Sequence, residues 1–376
     1  MQITAAVCRS NGAPLSIETL QLEDPREGEV LVRVVATGIC HTDVAMRDSP
    51  VRVPKPIVLG HEGAGIVERT GSAVRKVKPG DHVVMSFSSC GHCPSCYQGD
   101  AAYCFENNLY NFSGQRKDGT TALADGKGDL HSHFFGQSSF ATYAICTERN
   151  VIPVRADVPI ELLGPLGCGI QTGAGAVINA LKVYPGSSIG IFGTGSVGLA
   201  AVMAAKLSGA STIIAVDTQQ QRLEMAALLG ATHIINAARE NTFALVGSIA
   251  PTGMNFALDT SGNLAGIRQA VEHLAPRGTC GLINSAKGGE ISLNILQLLT
   301  GGRVVRGIHQ GDSVPEVFIP QLIELYAQGR FPFDKLVKFY QLGEINEAIA
   351  DMESGKAIKP VVTMASAAAF SRSSPP

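Results

Sequence analysis

The sequence has no tryptophan, and aromatic residues occupy only 6% of its 376 positions. Charged residues are also few, at 16%, and the net charge is −2, which gives no electrostatic attraction to nucleic acid or to an anionic membrane. The longest apolar run, residues 197–205, is far shorter than the roughly 20 residues that cross a bilayer. The sequence therefore predicts neither a nucleic-acid partner nor a membrane partner.

A secretory signal is also missing from the start of the sequence. The stretch MQITAAVCRSNGAPL has no cationic lead followed by a long apolar segment. The expected location is therefore the cytosol, where thiols stay reduced. The nine cysteines are an odd number in a large chain, which favours thiolate metal ligands over a disulfide framework.

Two patterns of apolar residues divide the chain. The first part, up to about residue 150, alternates apolar and polar side chains, as from Leu15 to Leu22, and predicts a β-rich domain. From about residue 185, short apolar runs alternate with helical or loop segments such as 264–275. Strands joined by such crossovers predict a parallel, doubly wound α/β sheet. Six runs have this pattern, at 188–192, 212–216, 232–236, 255–259, 279–283 and 304–308.

We therefore expect two domains, with the doubly wound sheet inserted into the β-rich domain. The mixed segment after about residue 310 contains two helical stretches and is expected to complete the first domain. The predicted bounds are 1–169 and 310–364 for the β-rich domain, 170–309 for the doubly wound domain, and 365–376 for a disordered tail.

A glycine motif, GTGSVG, follows the first strand of the predicted sheet and begins a helix. Gly193 and Gly195 allow a tight turn and a close approach of the backbone to a pyrophosphate at the helix N-terminus. Gly198 lets the helix pack closely against the strand. A similar spacing at 167–175 has no clear strand before it. The motif at 193–198 therefore predicts a dinucleotide site.

The residues that end the second strand indicate which dinucleotide binds. Asp217 is the expected acceptor for the adenosine ribose hydroxyls, and its charge would repel a 2′-phosphate. Residues 218–220 offer no cation for that phosphate, so the pattern favours NAD over NADP. Arg222 either supports the ribose or is an ordinary solvated helix residue.

Cysteines and histidines supply two candidate metal sites. Cys40 in CHTD and His61 in GHE are expected at the ends of strands or loops, and Cys168 lies in a glycine-rich stretch. Zinc binds thiolate and imidazole, and a catalytic zinc keeps three protein ligands and an open position. The second candidate is a loop with C-x2-C-x2-C-x7-C spacing, formed by Cys90, Cys93, Cys96 and Cys104.

The motifs GHEGAG, the four-cysteine loop, GCG and GTGSVG occur in an order that resembles the zinc-dependent medium-chain alcohol dehydrogenases. The resemblance covers about residues 5–364, and CHTD, HFFGQSSFATYA and IELLGPLGCGIQTGAGA are most similar to the microbial aryl-alcohol (benzyl alcohol) dehydrogenases. It implies a GroES-like catalytic domain, a Rossmann NAD-binding domain and a homo-oligomer, either a dimer or a tetramer. It also implies a catalytic zinc on Cys40, His61 and Cys168.

With the catalytic ligands placed elsewhere, the four-cysteine loop is expected to hold a second, structural zinc. Four thiolates fill a tetrahedral site and leave no position for substrate. A redox role is the minor alternative. The remaining thiols lie in apolar runs and are expected in the core: Cys8, Cys146 and Cys280.

The resemblance also implies roles around the catalytic metal and the cofactor. Thr42 would begin the proton relay, Asp43 would orient the ligand histidine, and Glu62 would approach the zinc during ligand exchange. Thr172 would contact the nicotinamide end. Lys359 would contact the pyrophosphate or remain a solvated lysine.

The sequence departs from the animal enzymes of this family close to the first zinc cysteine. His41 stands where many members have arginine, and Ala45 stands where the animal enzymes end their proton relay in histidine. Water or His41 is therefore expected to carry the proton beyond Thr42. Two further histidines, His131 and His133, are expected to flank the pocket rather than to form another metal site.

By the same resemblance, five apolar side chains line the substrate pocket above the zinc: Val51, Phe87, Leu109, Phe134 and Ile283. None is charged, so we expect reversible, NAD-linked oxidation of primary aromatic or allylic alcohols of the benzyl, cinnamyl or geranyl type. A glutathione-dependent formaldehyde dehydrogenase is a weaker alternative, because the stretch FENNLYNFSG has no cation for the glutathione carboxylates. A zinc-ribbon nucleic-acid binder would need a basic patch, and quinone-reductase relatives would lack these zinc ligands.

Overall fold

The structure, a computed structural model, describes residues 1–283 and 289–364. These residues form two compact units. The first unit contains Met1–Cys168, Val314–Glu324 and the segment from Asp334 onward, and the second contains Gly169–Ser313 and Leu325–Phe333. The predicted disordered tail, 365–376, lies outside the described residues.

The second unit extends beyond the predicted end at residue 309. Residues 310–313 and 325–333 belong to it as well. Gly311 explains the first of these extensions, because a Cβ built on it would lie only 2.6 Å from the backbone oxygen of Gln171. The chain therefore leaves the second unit a few residues later than the sequence pattern predicts.

The first unit contains two sheets, and the predicted β-rich character of this region is confirmed. The smaller sheet comprises β1 (Gln2–Cys8), β2 (Ser16–Leu22), β4 (Ile57–Val58), β7 (Leu123–Ala124) and β8 (Asp129–Leu130). The larger comprises β3 (Glu29–Gly38), β5 (Glu62–Thr70), β6 (His82–Met85), β9 (Tyr143–Thr147), β10 (Val151–Pro153), β17 (Val337–Gln341) and β18 (Lys359–Thr363). Their orders are β4-β1-β2-β7-β8 and β10-β6-β5-β3-β18-β17, and β9 also pairs with β3.

Strand β3 is the centre of the larger sheet and is buried on both faces. An alternating pattern is expected from Val30 to Val34 and would bury one face, but the stretch is VLVRV and only Arg33 is exposed. Leu31 packs into the core cluster of one face, whereas Val32 packs into the cluster of the other. Both faces are covered, which is why the strand contains a nearly continuous run of aliphatic residues.

Short helices complete the first unit. They are α1 (His41–Asp48), α2 (Pro94–Tyr97), α3 (Asn107–Asn111) and α11 (Ile345–Ser354), and α10 (Pro315–Ala327) contributes its residues up to Glu324. Helix α11 confirms the helical stretch predicted near GEINEAIADMESG. It places Ile345, Ile349 and Met352 on one face, as a helical spacing requires, and buries them in the core.

The second unit is a six-stranded parallel sheet, which confirms the predicted α/β fold class. Its strands are β11 (Ser188–Phe192), β12 (Thr212–Asp217), β13 (His233–Asn236), β14 (Met254–Asp259), β15 (Leu274–Leu282) and β16 (Val304–Gly307). The order is β13-β12-β11-β14-β15-β16. Its helices are α4 (Gly169–Gly175), α5 (Ser196–Leu207), α6 (Gln220–Leu229), α7 (Thr242–Ile249), α8 (Leu264–Glu272) and α9 (Ile295–Gly301).

Five of the six strands begin and end within two residues of the predicted apolar runs. The exception is β15, which begins earlier, at Leu274. The stretch 264–275 therefore divides into helix α8 and the start of β15. The order of the strands reverses between β11 and β14, and ligands of doubly wound sheets bind at the carboxyl ends of the strands at such a point. Among the described residues, no helix combines the length and apolarity needed to cross a membrane.

Candidate metal and cofactor sites

The register of two strands brings the first two predicted zinc ligands together. Strands β3 and β5 are antiparallel, and Gly38 at the end of β3 pairs with Glu62 at the start of β5. Cys40 follows β3 by two residues, and His61 precedes β5 by one. Both side chains therefore lie at the same end of the sheet.

Cys168 reaches the same place through a turn that packs against the sheet. Ser86, just after β6, donates a hydrogen bond from its hydroxyl to the carbonyl of Gly167 at 2.7 Å. A Cβ on Gly164 would overlap the backbone oxygen of Glu62, so only glycine lets the turn approach this closely. Local contacts within the first unit thus position the third predicted zinc ligand.

The resulting cluster contains Cys40, His61, Glu62 and Cys168, with one ligand atom from each within 4.8 Å of the others. The imidazole of His61 is fully buried, and its Nδ1 lies 2.8 Å from Oδ1 of Asp43. Its Nε2 is also buried and has no hydrogen-bond partner. An unpartnered buried nitrogen is costly, and a zinc ion coordinated by it and the two thiols removes that cost. The residues therefore fit a catalytic zinc.

Asp43 holds both the histidine and the backbone around it. Its carboxylate accepts hydrogen bonds from the backbone N–H groups of Cys40 at 2.9 Å and Gly60 at 3.1 Å, in addition to its contact with His61. A carboxylate in this position fixes the ring orientation and the tautomer of a metal-binding histidine. This geometry matches the role expected of Asp43.

Two further residues hold His61 and were not singled out in the sequence. The side chain of Gln137 donates to the backbone oxygen of His61 at 3.0 Å and accepts from the N–H of Gly63 at 3.1 Å. The ring of Phe135 stacks on the imidazole with centroids 4.5 Å apart. Both belong to the stretch HFFGQSSFATYA, which marked the resemblance without indicating what these side chains contact.

Lys359 is not a solvated lysine, because its side chain is only 2% exposed. Its ammonium group donates to both carboxylate oxygens of Glu62 at 2.9 Å and to the backbone oxygen of Ile39 at 3.1 Å. These three partners match its three protons. A pyrophosphate contact remains a prediction, and it requires the ammonium group to exchange one of these partners.

The charges of the cluster are strongly interdependent. The Cys168 thiol hydrogen-bonds to the sulfur of Cys40 and, despite burial, lowers the pKa of Cys40 well below its usual range. Burial alone would lower the pKa of Lys359, but the negative charges of Glu62 and Cys40 and the hydrogen bond to Glu62 together raise it. A thiolate at Cys40 and an ammonium group at Lys359 are therefore the favoured states, and a thiolate is the form that binds zinc.

The second candidate site is also assembled. Cys90, Cys93, Cys96 and Cys104 place their sulfur atoms within 4.8 Å of one another. The sulfur atoms of Cys90 and Cys96 are 3.9 Å apart, close to the roughly 3.8 Å edge of a tetrahedron with Zn–S bonds of 2.3 Å. Four sulfurs with this spacing fit a structural zinc.

Backbone N–H groups support these sulfurs. The N–H groups of His92 and Cys93 point to the sulfur of Cys90 at 3.5 and 3.3 Å, and that of Cys90 points to the sulfur of Cys104 at 3.3 Å. Backbone hydrogen bonds from Phe105 and Cys96 lower the pKa of Cys93 to about 6. The loop thus favours a thiolate at Cys93, whereas burial raises the pKa of Cys96 and raises that of Cys104 to about 12.

The remaining thiols confirm the prediction of a core location. Cys8, Cys146 and Cys280 are each fully buried in apolar surroundings. Burial raises the pKa of Cys280 to about 12 and also raises that of Cys146, so these thiols remain protonated.

The glycine motif of the second unit lies between β11 and α5, as predicted. Gly193 has a φ of +95°, and a Cβ there would lie 2.7 Å from the hydroxyl oxygen of Thr260. A Cβ on Gly198 would overlap the carbonyl oxygen of Gly193, whereas one on Gly195 would have open space around it. The first and third glycines are therefore required by packing, and the second leaves the N-terminus of α5 open to a phosphate group.

Asp217 and Arg222 complete the features expected of a nucleotide site. Asp217 is the last residue of β12, at the same end of the sheet as the glycine motif. The Nε of Arg222 is buried and has no hydrogen-bond partner, so this nitrogen is available to a bound hydroxyl or phosphate. A dinucleotide fits these residues, and the unpartnered nitrogen favours the ribose-supporting interpretation of Arg222.

Thr172 lies on α4 and is buried. Its hydroxyl donates to the side-chain oxygen of Gln310 at 3.3 Å, within the second unit. Gln310 was not considered in the sequence, and the late boundary of this unit is what brings it beside α4. The nicotinamide contact of Thr172 remains a prediction.

The predicted pocket residues have very different environments. Phe134 is fully buried and packs edge-on against His61, with ring centroids 5.6 Å apart. Phe87 is 6% exposed, whereas Val51 is 86% exposed. Leu109 and Ile283 are half-buried. Phe134 thus packs against a predicted zinc ligand, and the pocket roles of all five residues remain predictions.

The residues predicted to relay protons lie at the start of α1. Thr42 is half-buried, with its hydroxyl oxygen 3.7 Å from the sulfur of Cys40, and His41 beside it is exposed. Among the described residues, neither His131 nor His133 belongs to a metal-like cluster. His133 is buried and hydrogen-bonds to Ser132 at 2.6 Å, and burial lowers its pKa to about 4.

Three features of the chain together define its class. They are a buried cluster of two thiols and one imidazole, a four-cysteine loop, and a doubly wound sheet of the nucleotide-binding type. This combination is that of a zinc-binding dehydrogenase. Comparison with protein families supports this class directly. Residues 26–156 match the alcohol dehydrogenase GroES-like domain, and residues 196–328 match the zinc-binding dehydrogenase domain.

Three relatives are similar along almost the entire chain. The geraniol dehydrogenase of Castellaniella defragrans is 44% identical over 362 residues, covering 95% of this chain and 96% of that protein. The structure of benzyl alcohol dehydrogenase from Acinetobacter calcoaceticus has 48% identity and a TM-score of 0.94, covering 97% of this chain and all of that one. An alcohol dehydrogenase zinc-binding domain protein from Burkholderia ambifaria has 52% identity and a TM-score of 0.95, covering 97% and 99%.

The chain therefore belongs to the zinc-dependent medium-chain alcohol dehydrogenase family. The first unit contains the GroES-like domain, and the parallel sheet of the second is its Rossmann-like domain.

Proposed function

We propose that this enzyme oxidises primary aromatic or allylic alcohols to aldehydes, reversibly, with NAD as the hydride acceptor. The observation that carries the proposal is the buried cluster of Cys40, His61 and Cys168, in which one imidazole nitrogen has no partner. These three residues would hold a zinc ion and leave a further coordination position for the alcohol oxygen. The substrate class is suggested by the relatives that are named for geraniol and for benzyl alcohol.

The chain's own residues organise this chemistry. When bound, zinc supplies the Lewis acidity that makes an alcohol hydroxyl acidic enough to lose its proton near neutral pH. Asp43 fixes the ring of His61, and the thiolate of Cys40 is balanced by the buried ammonium group of Lys359. Glu62 lies beside the ligands with both of its oxygens held by Lys359, so its part in an exchange of ligands would require release of one of these bonds.

The proton needs a path out of a largely buried site. Thr42 is the proposed first relay group, because its hydroxyl oxygen lies next to a zinc ligand. Ala45 cannot carry a proton, so water or the exposed His41 takes it onward. These residues handle only the proton, whereas the hydride that leaves the alcohol carbon would be accepted by a bound NAD.

Two features of the chain suggest the cofactor and the second metal. Asp217 presents a carboxylate where a 2′-phosphate would otherwise bind, and this favours NAD over NADP. The four-cysteine loop offers no position for substrate, so we assign it a structural zinc. Both metal sites need reduced thiols, which is consistent with the cytosol.

A substrate panel tests the proposed activity. Apolar walls gain about 25 cal/mol for each Å² buried, so a phenyl ring or an isoprenoid chain gains several kcal/mol over the methyl group of ethanol. Conjugation in benzyl and allylic alcohols also stabilises the aldehyde. We expect kcat/KM for benzyl alcohol, cinnamyl alcohol or geraniol to exceed that for ethanol by about a hundredfold or more. Sorbitol should be essentially unused.

The same assay includes the alternative substrate. Formaldehyde with glutathione forms S-(hydroxymethyl)glutathione, and faster turnover of that compound would replace the proposal with the glutathione-dependent activity. Ethanol or sorbitol matching benzyl alcohol in kcat/KM would contradict the apolar pocket. The ratio of kcat/KM for benzyl alcohol to kcat/KM for geraniol indicates the depth of the pocket.

Thr42→Val tests the proton relay, since valine keeps the volume and removes the hydroxyl. We expect kcat to fall roughly a hundredfold, as is typical for the loss of an acid–base group, with little change in KM. The pH dependence of kcat should shift as well. Thr42→Ser is the control and should retain most of the activity. An unchanged pH–rate profile in Thr42→Val would mean that protons leave directly through water.

A further inference from the structure

The carboxylate of Asp217 receives four hydrogen bonds from its own chain. Its Oδ2 accepts from the backbone N–H of Thr194 at 2.6 Å and from the hydroxyl of Thr194 at 2.9 Å. Its Oδ1 accepts from the N–H groups of Thr218 at 2.7 Å and Gln219 at 2.9 Å. Two donors hold each oxygen, so this carboxylate cannot rotate without losing a bond, and a further donor must share an oxygen with the donors already there.

Thr194 reaches Asp217 because of the strand register. Strands β11 and β12 are parallel, with Phe192 opposite Val216, and the N–H of Gly193 donates to the carbonyl of Val216 at 2.8 Å. Thr194 is the residue between the first two glycines of the motif, and it is fully buried. One side chain thus links the phosphate-binding turn to the proposed ribose acceptor.

We propose that the hydroxyl of Thr194 determines cofactor specificity by holding the Asp217 carboxylate where it accepts a ribose hydroxyl and repels a 2′-phosphate. This inference rests on the proposed use of NAD. Thr194 is a positioning residue, because it acts through Asp217. A ribose hydroxyl can share a carboxylate oxygen with these donors, but a 2′-phosphate would meet a negative charge that is fixed in place.

The test compares the dissociation constants of NADH and NADPH in Thr194→Val. The chain has no tryptophan, so cofactor binding is followed by direct excitation of the nicotinamide and its enhanced emission. We expect the preference for NADH over NADPH to fall about tenfold, the typical effect of one hydrogen bond to a charged group. Most of the change should be a loss of NADH affinity. Thr194→Ser should restore the wild-type ratio.

Two comparisons separate specificity from a general disturbance of the loop. Thr260 donates from its hydroxyl to the carbonyl of Gly193 at 2.9 Å, so Thr260→Val perturbs the same turn without removing a bond to Asp217. It should weaken both cofactors alike and leave their ratio unchanged. In an Asp217→Gly background, Thr194→Val should not change the ratio further, because the two residues act as one unit.

The outcomes distinguish this inference from the proposed function. A wild-type enzyme that binds NADPH as tightly as NADH would overturn the proposed cofactor. A wild-type preference for NADH that Thr194→Val leaves intact would overturn only the role of Thr194. The role of Thr194 would also be overturned if Thr260→Val reduced the preference for NADH as much as Thr194→Val does. A further loss of that preference when Thr194→Val is added to Asp217→Gly would have the same meaning.

Discussion

Cys168→Ser is expected to reduce turnover at least about a thousandfold while leaving the fold intact, because a metal acting as a Lewis acid contributes several kcal/mol to the transition state. Serine has nearly the same volume as cysteine. The turn itself is positioned by other contacts, chiefly the hydrogen bond from the hydroxyl of Ser86 to the carbonyl of Gly167. Metal analysis should show one zinc lost per chain, and the melting temperature should change little.

Cys104→Ser is the matched variant in the other cluster. A structural zinc contributes directly to folding, so we expect the melting temperature to fall by about 5 °C or more, with one zinc lost and a smaller effect on chemistry. The two variants together assign the metals. If Cys104→Ser kept its stability but lost turnover, while Cys168→Ser lost stability, the two assignments would be exchanged.

Lys359→Met is expected to destabilise the enzyme by about 3–5 kcal/mol, since it leaves the buried carboxylate of Glu62 without its cation. Both side chains are almost completely buried, at 2% and 0% exposure. Urea unfolding of the purified holoenzyme measures the effect. Adding Glu62→Leu should recover much of the loss, because an apolar pair can replace a buried ion pair at little cost.

An ion pair of the first unit whose cation is half exposed provides the control. Lys338 lies 2.7 Å from Asp351, but its side chain is 50% exposed. Lys338→Met should therefore cost less than about 1 kcal/mol. Equal effects of Lys359→Met and Lys338→Met would contradict the assignment of Lys359 to a buried charge network.

The elements that could be predicted are those whose signal is local. The apolar runs of the parallel sheet predict their strands because the inner strands β11, β12 and β14 are mostly buried, although the edge strands β13 and β16 are partly exposed. The motif 193–198 also carries its own context, since two of its three glycines are required by close packing. The spacing of the four cysteines in the loop likewise indicates which side chains meet.

Contacts between distant segments could not be predicted in the same way. Lys359 and Glu62 are 297 residues apart, and nothing near either one indicates that they form an ion pair. The stacking of Phe135 on His61 depends on a backbone with a φ of 50° at Phe135, which favours glycine and is not visible in the sequence. Residues 310–313 join the second unit through the close approach of Gly311. Such features follow from tertiary packing.

The turn that carries Cys168 has a consequence for laboratory evolution of new substrate ranges. Gly164 touches the backbone of Glu62 so closely that libraries diversified at this position will yield mostly inactive clones. Leu109, in contrast, is half-buried, and Val51 is 86% exposed, so both tolerate a change of size. The turn that carries Cys168 thus resists mutation, whereas two of the predicted pocket positions accept it. We therefore expect substitutions at those two positions to change the range of alcohols without rebuilding the reactive centre.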